Sequence, residues 1–289
     1  MFHQTSELNV ELLYDVKDGL LPVGARIPSL DRAYNGMIEP FLTMGRPNLA
    51  NQAMGMLSDV DDRQPGSLET AMAQISIDQG ELEDAQHQLE DARKAMPPSS
   101  DLTGFREELW GLLEERLGDT DAAIEHFRAA AAAEPKRPLP LQRLAEIYGH
   151  QQNWPEATHW MEQFVETKPA SLGHQWATLG DYYLAGQKPD EALKTFQTAL
   201  HIDPYTFWAR YRMARLYEER KQNKEALEQY ELTLRYAFDR EPELYVKAAT
   251  LYNAEGRKKE ARQVLARGYR IFPTNTAIYR LYRDAVGGN

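Results

Sequence analysis

Residues 176–204, WATLGDYYLAGQKPDEALKTFQTALHIDP, decide the fold. Trp176, Leu179, Gly180 and Tyr183 fall at helical spacing, and so do Ala192, Phe196 and Ala199 further on. Gly186 and Pro189 separate the two runs, and Pro204 closes the second. The stretch therefore reads as two amphipathic helices joined by a tight turn. Stepping along the chain by its Ala192 gives Ala50, Ala85, Ala123, Ala157, Ala192, Ala226 and Ala261, spaced by 35, 38, 34, 35, 34 and 35 residues. A large apolar residue follows four positions later each time: Met54, Leu89, Phe127, Met161, Phe196, Tyr230 and Leu265.

The rest of each unit obeys the same logic. Small residues stand on the first helix where the second crosses it: Ala73, Gly111, Ala145, Gly180, Ala214 and Ala249. A small side chain there lets two helix axes approach, and the large residue of the partner fills the remaining space. Gly45, Gly80, Gly118, Gly186 and Gly256 lie at the turns, where a positive φ is easiest for Gly. Pro97, Pro135, Pro169, Pro204 and Pro273 stop the second helices.

This pattern resembles the tetratricopeptide repeat (TPR), W-x2-L-G-x2-Y then A-x3-F then P. The resemblance covers about seven units and is weakest in the first. Ser76 and Glu114 replace the expected Tyr, and Phe238 stands where one closing Pro should. The expected fold is all-α, a right-handed superhelical solenoid of helix hairpins with a C-terminal capping helix. The expected boundaries are an irregular lead-in over 1–30, the array over 31–275, and a cap and tail over 276–289. The 38-residue step places an insertion at residues 97–100.

Composition narrows the function. Lys and Arg number 33 against 44 Asp and Glu, a net charge of −11. An acidic chain disfavours general nucleic-acid binding. The absence of Cys removes disulfides, Cys-ligated zinc, iron–sulfur clusters and thiol nucleophiles. The seven His residues show no ligand spacing and read as surface positions, and Asp59, Asp61 and Asp62 lack the Gly and Glu of a calcium loop. No phosphate-binding or nucleophile motif is present. The expectation is a non-catalytic chain with no cofactor and no metal. No apolar run spans a bilayer. The N-terminus does not read as a signal peptide, so a cytoplasmic location is expected. A periplasmic or membrane-associated location follows if a leader or a larger protein was trimmed.

The resemblance implies a concave groove lined by first helices, which holds a partner segment. Helical phase puts Arg143, His174, Trp208, Tyr211, Arg212, Arg215 and Lys247 on that surface. Arg forks pair with carboxylates and aromatics supply desolvated area, so the expected partner is a protein or peptide with acidic and apolar anchors. The alternative is that Trp208 and Tyr211 pack against the preceding unit. The clamp that one TPR subclass uses for chaperone tails is disfavoured, because Gln142, Glu146 and Thr178 stand where its residues should. Residues 1–204 carry a net −17 and residues 205–289 a net +6, so a self-assembling homo-oligomer is one further alternative. A regulatory or targeting module of a larger enzyme or transporter is another.

Overall fold

The computed structural model describes residues 66–95, 102–167, 173–236 and 241–287. The expectations placed on residues 1–65, on the insertion at 97–100, on Pro169 and on Phe238 lie outside them. The described residues form thirteen α-helices and no strand. They are α1 (Ser67–Gln79), α2 (Leu82–Ala95), α3 (Thr103–Leu117), α4 (Thr120–Ala133), α5 (Pro138–His150), α6 (Trp154–Thr167), α7 (Gly173–Ala185), α8 (Pro189–Ile202), α9 (Phe207–Glu219), α10 (Asn223–Tyr236), α11 (Pro242–Ala254), α12 (Lys258–Ile271) and α13 (Thr276–Gly287). Twelve alternate as first and second helices at the expected period, and α13 follows as the capping helix. Two compact units divide the chain, Met1–Ile147 and Tyr148–Asn289, so the division falls within α5.

The periodic residues are the core. Ala85, Ala123, Ala157, Ala192, Ala226 and Ala261 are buried, and so are Leu89, Phe127, Met161, Phe196, Tyr230 and Leu265. A Cβ added to Gly111 would overlap the Phe127 ring, and one added to Gly180 would overlap the Phe196 ring. The small residue and the aromatic of each pair are thus two halves of one contact. In the first unit Ala73, Ile77, Leu89, Leu109, Trp110 and Leu113 pack together. In the second, one cluster gathers Ala177, Phe196, Ala209, Met213 and Leu216. Another gathers Tyr211, Tyr230, Tyr245, Tyr252 and Leu265, and Ile278 of α13 joins it.

All six hairpin turns close alike. The N–H groups of Glu81, Asp119, Asn153, Lys188, Gln222 and Arg257 donate to the carbonyls of Ser76, Glu114, Tyr148, Tyr183, Tyr217 and Tyr252. The acceptor is a backbone carbonyl, which is why Ser76 and Glu114 can replace Tyr without changing the turn. The residue before each donor is left-handed: Gly80, Gly118 and Gly256, but also Gln152, Gln187 and Lys221, with φ of 57°, 60° and 59°. The sequence assigned this role in the α7–α8 turn to Gly186, and the structure gives it to Gln187. The hydrogen-bonded closure holds a side-chain-bearing residue there against a cost of about 1–2 kcal/mol.

Candidate interaction surface

Six of the seven residues singled out by helical phase lie on first helices of the second unit. His174 is on α7, Trp208, Tyr211, Arg212 and Arg215 are on α9, and Lys247 is on α11. Arg143 is on α5, within the first unit.

Three of the four cations already hold a carboxylate from the preceding first helix. Arg143 lies 3.5 Å from Glu115 of α3, and it also donates to Glu146 at 3.1 Å. Lys247 donates to Glu218 of α9 at 3.0 Å. Arg212 Nε lies 2.8 Å from Asp181 Oδ1 of α7. These pairs staple one first helix to the next, and each is partly shielded from solvent. Arg215 is exposed, and it is the one of the four without a carboxylate partner among the described residues.

The aromatics divide between two roles. Trp208 is 37% exposed, and the Arg212 guanidinium lies over its ring at 4.9 Å. Tyr211 is only 8% exposed and packs against Trp208 and Tyr230, with ring centroids 5.5 and 6.2 Å away. Burial, and then the Glu243 carboxylate that its phenol meets, raise the Tyr211 hydroxyl above its ordinary value. Trp208 is therefore surface and Tyr211 is largely floor. His174 is exposed one turn before Thr178, whose hydroxyl donates to the His174 carbonyl at 3.1 Å.

The two staples of the second unit differ in quality. Glu218 uses both oxygens, accepting from Lys247 on Oε1 and from the Tyr230 hydroxyl on Oε2, each at 3.0 Å. Asp181 Oδ1 and Arg212 Nε are close and shielded from water, yet neither makes a directed hydrogen bond. The N–H is not aimed along the 2.8 Å line, so the contact is Coulombic. Burial pushes the Asp181 carboxyl above the usual carboxylate range, although Arg212 and the Trp208 indole both pull it down.

Glu115, Glu218 and Glu243 escaped the sequence reading. For Glu115 and Glu218 the spacing was a signal, because each stands just under one repeat upstream of its cation. In the first unit the polar contacts act as fasteners. Arg137 grips Glu108 at 2.5 and 3.1 Å and covers the Phe105 ring. His126, read as a surface position, is half-buried instead, stacked on Trp110 and bonded to Glu107 at 2.8 Å. Among the described residues no cluster of His, Asp and Glu is placed to hold a metal ion, and no helix is long and apolar enough to cross a membrane.

Comparison with known proteins agrees with this geometry. Tetratricopeptide repeat family models match residues 108–147 and residues 183–245. No curated protein matches the sequence. Among solved structures, the C-terminal part of a TPR repeat-containing protein from Cytophaga hutchinsonii superposes with a TM-score of 0.65 at 16% identity, over 84% of this chain and 97% of that one. MamA gives a TM-score of 0.52 at 20% identity, over 60% of this chain and 94% of its own. YrrB, described as a TPR protein with an unusual peptide-binding site, gives 0.50 at 15%, over 61% and 89%. With twelve helices alternating at the repeat period, the described residues have the tetratricopeptide repeat fold, and residues 108–147 and 183–245 match the family itself.

Proposed function

We propose that this protein is a non-catalytic interaction scaffold that holds a segment of a partner protein along α7, α9 and α11. The observation that carries the reading is the half-exposed Trp208 ring on the same helix face as Arg215, two turns further along α9, the cation of that row with no internal carboxylate partner among the described residues. A large aromatic in contact with water, with an available guanidinium on the same helix face, is the composition of an interface anchor. Most other polar groups on the row are already matched, so the partner's apolar and acidic anchors converge on α9. The fold supports the same ligand class, since YrrB is described as carrying a peptide-binding site on it.

The test compares the wild-type chain with the Trp208→Ala, Arg215→Ala double variant in affinity capture from the native lysate, with circular dichroism as the control for folding. A species captured by the wild type and lost from the double variant, at unchanged helicity, supports the assignment. Equal capture by both places the interaction elsewhere.

A further inference from the structure

The Asp181–Arg212 contact is a poor staple in a good position. Its two facing atoms are shielded from water without a directed hydrogen bond. A buried polar atom left in that state costs on the order of 1–3 kcal/mol. Arg212 also lies over the Trp208 ring, an attraction that adds to its contact with Asp181. The contact to Asp181 uses Nε. The Nη1 and Nη2 fork donates no geometrically aligned hydrogen bond to a carboxylate among the described residues, and this is the end of a guanidinium that takes a carboxylate through two parallel hydrogen bonds. Arg215 stands three residues further along α9, exposed. Asp181 thus places a negative charge beside a site whose other members suit an anion.

We infer that Arg212, Arg215 and the exposed part of the Trp208 ring form a carboxylate subsite for the partner segment, and that Asp181 occupies it in the free protein and yields Arg212 when the partner's carboxylate arrives. This rests on the scaffold reading and deepens it. The ligand is a segment with a carboxylate next to an apolar side chain. The carboxylate takes the Arg212 fork with Arg215 beside it, and the apolar group covers Trp208. Asp181 acts as an internal competitor. It offsets one of the two positive charges when the subsite is empty, and it rejects acidic segments that lack the apolar group needed to offset the exchange. Glu218 cannot act in this way, because both of its oxygens hold directed bonds.

The experiment is a titration followed by NMR, reading the Trp208 indole N–H and the Arg212 Nε–H, each assigned by substitution. Three synthetic probes are used. Acetyl-Ala-Glu-Leu-Ala-amide offers a side-chain carboxylate, acetyl-Ala-Ala-Leu with a free terminus offers a main-chain one, and acetyl-Ala-Gln-Leu-Ala-amide offers none. The expected result is a saturable shift of both signals with at least one carboxylate probe and none with the Gln probe. The probe that binds identifies the source of the carboxylate. Asp181→Asn should tighten that binding about tenfold by removing the competing charge, and Arg212→Gln should abolish it. Asp181→Ser provides a second variant should Asn disturb the helix, and the wild-type Arg212 signal reports the exchange directly. Saturable shifts with affinity unchanged or weakened in both Asp181 variants would overturn the competitor and leave the scaffold reading standing. No shift anywhere on α7, α9 or α11 with any probe, in wild type or variant, would overturn both.

Discussion

The steps from α7 to α9 and from α9 to α11 are built from the same repeat, yet their ion pairs differ. At the second step Glu218 is tied by Lys247 and by the Tyr230 hydroxyl, which is itself buried. At the first, the shorter Asp181 starts from a different turn of its helix and meets Arg212 without alignment. A cation stands at the equivalent position in both. The difference is that Glu218 has both oxygens in directed bonds, whereas Asp181 Oδ1 faces Arg212 Nε without one. Packing beneath the two steps is alike, with Phe196 against Gly180 in one and Tyr230 against the cluster of Ala214 and Tyr211 in the other.

Equal packing makes the first prediction symmetrical. Phe196→Ala and Tyr230→Ala should each lower stability by about 3–5 kcal/mol, read from urea unfolding, because both remove a fully buried ring. A large inequality would mean that the two steps differ in their cores and not only in their ion pairs. Glu218→Ala should cost about 1–3 kcal/mol by the same measurement, since it strands the buried Tyr230 hydroxyl and frees Lys247.

Alkaline pH separates the steps in another way. Burial first, and then the Glu218 carboxylate, hold the Tyr230 phenol well above its ordinary value. A group raised in the folded state contributes its full stability below its unfolded pKa, here about 10, and loses it as pH rises further. Wild type should therefore lose stability above pH 10 more steeply than Tyr230→Phe. The same slope in both would remove Tyr230 from the account. Asp181→Asn carries the smallest expected effect, within about 0.5 kcal/mol of wild type at low pH. The Asp181 carboxyl is also raised, so its contribution is present below the usual carboxylate pKa and fades as pH rises through the folded value. The Asn variant should gain on wild type over that window.

The fold was legible because its determinants repeat. Ala192 and Phe196 recur in phase, and a buried contact such as Gly180 against Phe196 needs only two residue types at fixed spacing. The turns were legible in position but not in conformation. Gln187 holds the left-handed site expected of Gly186, because five-residue backbone closure outweighs side-chain preference there. The surface was half legible. Helical phase placed Trp208, Arg212 and Lys247 on one row, but it carries no information on which charges neutralise one another across helices. That depends on side-chain reach, so Glu218 and Glu115 went unseen, and Arg212 looked as available as Arg215.

Site-specific photo-crosslinking in the native host tests the central claim most directly. A benzophenone side chain is placed at exposed His174, on the first-helix row, or at exposed Gln197, on the second helix α8. The account predicts a partner crosslinked from position 174 and absent from 197. A partner crosslinked from 197 alone would contradict it.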